Sequence, residues 1–233
     1  MSSLRGLKTT REIIISTTNG RAYFEFVNLL KSLSLPHKDL LPDEARSYRD
    51  SLILTTKGEL SLISPRFYFL FEEMNGDFEH DAISLLQRLL ASRSDHLLLG
   101  VDPGGVTGIA VIYRGYPVSF HSLSSYYEAI SFIDKLMMLH VKRFTLRIGK
   151  GDARGEKIAS QAKRIAERIQ KEDASCQIII ELVDESGTSK RDESSKLRRN
   201  MFYPYSKTFK AAIQKDALAA LGIARRKGTL YSL

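Results

Sequence analysis

Leu97-Leu98-Leu99-Gly100-Val101-Asp102-Pro103-Gly104-Gly105 is the stretch on which the reading of this chain turns. Residues 97–101 are apolar apart from a glycine and have the length of a buried strand. That strand delivers Asp102, and Pro103-Gly104-Gly105 then makes a tight turn. VTGIAVI (106–112) continues as a second strand, Gly115-Tyr116-Pro117 turns again, and VSFHSL (118–123) makes a third. Downstream the pattern alternates. A helix over 126–139 carries Ala129, Ile130, Ile133, Leu136 and Met137 on one face. A strand over 143–148 leads to the loop Gly149-Lys150-Gly151-Asp152, and a helix over 156–170 buries Ile158, Ala162, Ile165 and Ile169. The strand 177–183 ends at Asp184 and Glu185, and a last helix is expected over 206–226. Hairpins followed by strand–helix alternation imply an α/β domain, a mixed sheet flanked by helices, over residues 95–233.

Residues 1–94 read as a separate, smaller α/β accessory domain. REIIISTT (11–18) is a strand bounded by Asn19-Gly20, and 21–34 place Phe24, Val27, Leu30 and Leu33 at helical spacing. Pro36 ends that helix and Pro42 keeps the next stretch irregular. Residues 52–56, the Lys57-Gly58 turn and 60–63 are expected to form a hairpin, 66–71 a strand and 81–90 a short amphipathic helix. Asn19-Gly20-Arg21 offers backbone N–H groups at a helix start, but one glycine there reads as a plain strand-to-helix turn.

The chain has 233 residues, and 43% of them are hydrophobic, enough for a packed core. Cys176 is its single cysteine, which excludes an internal disulfide and any cysteine-rich zinc site and fits a reducing compartment. No apolar run approaches the roughly 18 residues of a membrane span, so a soluble cytoplasmic protein is expected. Histidines 37, 80, 96, 121 and 140 show no metal-binding spacing. The net charge is +8, and its placement is uneven. Residues 1–94 and 95–185 each hold 12 basic and 12 acidic side chains, whereas 186–233 hold 11 and 3. A one-ended excess suits a phosphate-binding surface, although a solvated basic tail has the same composition.

Acids recur where charge is expensive. Asp102 ends the first strand, Asp184 and Glu185 end the strand 177–183, and Asp216 borders the apolar face of its helix near Ile213 and Ala220. Such a set fits Mg²⁺, which takes hard oxygen ligands from few carboxylates plus substrate phosphate. The alternative is structural: Asp102 caps its turn while Asp184 and Asp216 pair with nearby Lys or Arg.

Gly100-Val101-Asp102-Pro103-Gly104 through Thr107-Gly108-Ile109-Ala110 resembles the first-strand signature of RNase H-like nucleases of the RuvC and YqgF type. Loop 149–152 with Glu156 and Gln161-Ala162, the segment Leu182-Val183-Asp184-Glu185-Ser186-Gly187-Thr188-Ser189, and Lys215-Asp216-Ala217-Leu218-Ala219-Ala220 resemble later motifs of the YqgF group, in the same order. The resemblance covers about 97–227. It implies an RNase H-like fold and a Mg²⁺- or Mn²⁺-dependent nuclease acting on structured or junction-like RNA or DNA. By that resemblance Asp102, Glu185 and Asp216 are the catalytic metal ligands, with Glu181 or Asp184 as the alternative strand acid. Two departures stand out: Ser186 replaces the arginine of the family's Asp-Glu-Arg segment, and Ala219 replaces an acid that RuvC-type enzymes carry. They keep open a nucleic-acid-binding protein of the same fold without efficient catalysis. An actin/Hsp70-like nucleotide-binding protein is a further alternative, since its phosphate loop also resembles Asp-x-Gly then Thr-Gly, but no clear second loop follows residue 108. Lys190, Arg191, Lys196, Arg198, Arg199, Lys207 and Lys210 are expected to grip phosphates, with Phe202 and Tyr203 either stacking on bases or packing the last helix. A homodimer is compatible with this reading.

Overall fold

A computed structural model describes residues 11–90, 95–139, 141–150, 153–172, 175–184 and 215–231. The chain divides into two compact units, Met1–Ser92 and Arg93–Leu233.

In the first unit β1 (Ile13–Ile15) lies between β2 (Lys38–Asp39) and β3 (Leu52–Thr55), and β4 (Phe67–Leu70) completes the order β2-β1-β3-β4. Every pairing is parallel. All of β1 and β3 is buried, which explains continuous apolar runs in place of alternation. Ile14 and Ile53 pack with Ala45 and Ile63 on one face. Helices α1 (Gly20–Ser32), α2 (Pro42–Ala45), α3 (Leu60–Ile63) and α4 (Phe78–Leu89) connect and cover the strands.

Three expectations are corrected here. Residues 60–63 are the helix α3, not the second arm of a hairpin; β3 and β4 run parallel, and a parallel pair needs a crossover between its strands. Ser64 at φ 50° ends that helix in the left-handed region. Pro42 starts α2 instead of keeping the chain irregular, because its missing N–H costs nothing in a first helical turn. In α1 the buried face is Ala22, Phe26, Leu29 and Leu30, whereas Phe24 is 62% exposed. Asn19 is a plain N-cap whose side chain accepts from the N–H groups of Arg21 and Ala22.

The second unit is built on a six-stranded sheet. Its strands are β5 (His96–Pro103), β6 (Thr107–Tyr113), β7 (Tyr116–Leu123), β8 (Arg143–Gly149), β9 (Gln177–Val183) and β10 (Thr229–Leu230). The order is β10-β9-β8-β5-β6-β7, with β5, β8 and β9 parallel and β6, β7 and β10 antiparallel to their neighbours. Helices α5 (Tyr126–Met137), α6 (Ala153–Glu172) and α7 (Lys215–Ala224) flank it. The chain is therefore α/β, with the mixed, helix-flanked sheet expected of this region; the short β10 has no counterpart in the sequence pattern. The last helix is described from Lys215 onward, so its expected start at 206 lies outside the described residues.

Two glycines set how α7 docks. A methyl group on Gly100 would collide with the carbonyl of Ala220 and stand 2.6 Å from the Ala224 Cβ; one on Gly108 would collide with the carbonyl of Asp216. The helix backbone thus lies directly on the sheet, which larger residues would forbid. On the other side Pro103, of opposite parity to Gly100, meets Gly155 of α6. Helices consequently cover both faces.

Candidate metal and nucleic-acid site

Strand parity places Asp102 on the same face as Gly100, the face that α7 covers. Asp102 is paired across the sheet with Gly108, and Gly108 lies beneath the backbone of Asp216. Cross-strand neighbours stand about 5 Å apart at Cβ, so Asp102 adjoins the first turn of α7. Asp216, Ala220 and Ala224 follow one another at four-residue spacing along that helix. The alanines are fully buried, while Asp216 and Asp102 are each half-buried. Two acids far apart in sequence thereby share one face and one end of the sheet.

Ser122 belongs to the same row, opposite Gly108 on β7. Its Oγ is buried and has no hydrogen-bond partner among the described residues. Gly149 and Val183 continue the row on the other side of Asp102. No side-chain volume from Gly108 or Gly149 fills that end of the sheet, and a buried hydroxyl lies beside it.

The strand acids separate clearly. Glu181 occupies the row of Gly100 and Arg147, about 12 Å from Asp102 by strand spacing and rise. Its carboxylate accepts from Arg147 Nε at 2.7 Å and from the N–H of Gly228 at 3.4 Å. Arg147 also donates to the carbonyl of Ala224 at 2.6 Å, so the pair fastens the C-terminus of α7, where a cation is favoured. Asp184 follows β9, is exposed, and accepts from Arg226 through its backbone carbonyl at 3.4 Å. Glu185 lies outside the described residues, as do Lys190, Arg191, Lys196, Arg198, Arg199, Phe202, Tyr203, Lys207 and Lys210. Among the described residues no group of three or more His, Cys, Asp and Glu side chains is placed to hold a metal ion.

Cys176 is buried at the entrance to β9. His121 is a strand residue whose ring packs 4.4 Å from that of Phe132. His96 hydrogen-bonds Thr145 at 2.9 Å; burial, with Arg143 and Arg147 nearby, lowers its pKa and keeps it neutral. No described helix is long and apolar enough to cross a membrane.

Sequence reasoning missed two sets of residues near this site. Ser122 has no signal of its own and is found only through cross-strand register. Lys150 directly follows β8 and Arg154 lies in the first turn of α6; both are exposed, and Arg154 Nη1 donates to the carbonyl of Gly104 at 2.6 Å. That bond fixes the turn after Asp102 to α6.

No family model matches the chain, and no curated protein matches it. Among solved structures it is similar to T. thermophilus RuvC in complex with Holliday junction substrate, with 12% sequence identity and a TM-score of 0.35, over 55% of this chain and 90% of that one.

Proposed function

We propose that residues 95–233 form a nuclease that hydrolyses phosphodiester bonds in structured RNA or DNA with Mg²⁺ or Mn²⁺. The observation that carries this reading is that Asp102 and the turn of α7 bearing Asp216, both half-buried acids, lie at one end of the sheet on the face that α7 covers. Two carboxylates so placed suit a hard divalent cation, and Mg²⁺ is commonly held by one or two carboxylates plus substrate phosphate. The buried Ser122 hydroxyl in the same row adds a further oxygen. The donor set is hard and all-oxygen, which fits these ions and not a soft metal. Glu185, from the connection after β9, supplies a third carboxylate. When bound, the ion neutralises phosphate charge and makes a water a better nucleophile.

The chain's own residues do the rest. Asp102 and Asp216 hold the ion from a strand and a helix locked together at Gly108. Lys150 and Arg154 offer positive charge to the phosphates flanking the reacting one. The basic segment from Lys190 to Lys210 grips the backbone without reading sequence.

The test is cleavage of end-labelled structured RNA and DNA with Mg²⁺ or Mn²⁺ by wild type and Asp102→Asn. The expected result is cleavage by wild type and a loss of at least about 100-fold in the variant, with binding retained. Equal rates would remove Asp102 from the chemistry. Salt-dependent binding with no cleavage by either protein would make the chain a nucleic-acid-binding protein of this fold, the reading that Ser186 and Ala219 favour.

A further inference from the structure

The start of α5 presents two adjacent tyrosines in an uncommon setting. Ser125 caps the helix by accepting from the N–H of Tyr127 at 3.2 Å, and Glu128 returns to the N–H of Ser125 at 3.3 Å. The rings of Tyr126 and Tyr127 meet edge to face, with centroids 5.6 Å apart and planes at 77°. Tyr126 is half-buried and donates its hydroxyl to the carbonyl of Lys157 on α6 at 3.4 Å. Burial, with a smaller effect of Tyr127, raises its pKa, so it remains a neutral donor. Tyr127 is 82% exposed, a large ring held upright and left in solvent.

Facing these rings, α6 supplies Arg154, Lys157 and Gln161 at three- and four-residue spacing, one stripe of the helix, with Ser160 beside them. Together the six residues line a groove of about 400 Å³. Arg154 and Lys157 are both exposed. Two carboxylates lie near: Glu128, engaged with the N-cap of α5, and Glu156, which helical rotation turns off the stripe. The groove is tied to the proposed site by the bond from Arg154 to Gly104, two residues beyond Asp102.

We propose that this groove binds an unpaired nucleotide of the substrate, with its base stacked on Tyr127 and its phosphates met by Arg154 and Lys157. Gln161 and Ser160 offer donors and acceptors to the base edge. A planar, sequence-tolerant ligand with flanking negative charge matches an exposed ring that shares its groove with two cations, the recurring chemistry of single-strand recognition. A base held in a duplex has both faces covered and cannot reach the ring. The inference rests on the nuclease reading for its place beside the scissile phosphate, while the binding itself requires no metal.

The chain has no tryptophan, so Tyr127→Trp places a single reporter in the groove. It is titrated in EDTA with single-stranded DNA, single-stranded RNA and a blunt duplex, with anisotropy of the labelled oligonucleotide followed in parallel. The single strands should quench the tryptophan to saturation in step with the anisotropy, and the duplex should bind without quenching. Tyr127→Ala should weaken single-strand binding about tenfold and leave duplex binding and the melting temperature unchanged. Absence of binding, binding of single strands without quenching, or an unchanged affinity of Tyr127→Ala would each overturn the proposal. Cleavage is read separately, so a saturable groove in a chain that cleaves nothing sinks the nuclease reading alone, and cleavage without quenching sinks this one.

Discussion

Glu59 in the first unit stands just beyond the carboxyl end of β3, and Asp102 in the second lies in the last residues of β5, yet their surroundings differ. Glu59 is surrounded by donors: Thr17 Oγ1 at 2.5 Å, the Thr18 N–H at 2.5 Å, Thr18 Oγ1 at 2.7 Å and Thr56 Oγ1 at 2.7 Å. Burial pushes its pKa up, but those four bonds outweigh it and hold the carboxyl at about 2. It locks the ends of β1 and β3 to the start of α3. Asp102 instead adjoins the first turn of α7, bringing it beside a second carboxylate, Asp216. One acid is ringed by hydroxyl and N–H donors from two strand ends; the other lies beside the helix turn that carries a second acid. At similar burial, the two acids differ in what surrounds them.

The largest effect should come from Gly108→Ala, which attacks the placement itself. The added methyl collides with helix backbone, so we expect a loss of about 3 kcal/mol or more in urea denaturation and loss of cleavage. A variant with wild-type stability and activity would show that α7 does not need this close approach. Next, Glu59→Gln should cost about 1–2 kcal/mol, since charge-assisted bonds weaken to neutral ones at a partly exposed site. Cleavage by the variant should persist.

The pH dependence of that cost has a fixed sign. The folded pKa of Glu59 is about 2 against an ordinary value of 4.5, so its contribution is complete above pH 4.5 and fades as the pH falls toward 2. The difference in urea midpoint between wild type and Glu59→Gln should therefore shrink below pH 4.5. A difference that grows on acidification would contradict the bonding just described. The smallest stability change belongs to Asp102→Asn, which removes like-charge repulsion beside Asp216: we expect a midpoint equal to wild type or slightly higher without metal. A large destabilisation would place Asp102 with Glu59 among the structural acids.

Much of the second unit is legible in sequence because its signals are local. The strand at 177–183 has the observed bounds, and the three strands around Asp102 are marked by glycine and proline turns. The first unit is harder. Leu60-Ser61-Leu62-Ile63 is too short for its period to distinguish helix from strand, and only the parallel pairing of β3 with β4 decides it. The donors around Glu59 come from two strand ends far apart in sequence, so no spacing announces them. At the site, Asp102 and Asp216 stand out as acids on apolar elements, and Gly100 and Gly108 are the readable sign of close backbone approach. Ser122 and the Arg147–Glu181 pair depend on register across the sheet, which a single sequence does not carry.

Joint binding of a divalent ion by Asp102 and Asp216, as proposed, can be measured by titrating Mn²⁺ into wild type, Asp102→Asn, Asp216→Asn and Glu181→Gln and following free Mn²⁺ by electron paramagnetic resonance. Wild type and Glu181→Gln should bind one or two ions, while each aspartate variant should lose at least about tenfold in affinity. Indistinguishable isotherms for wild type and both aspartate variants would contradict it.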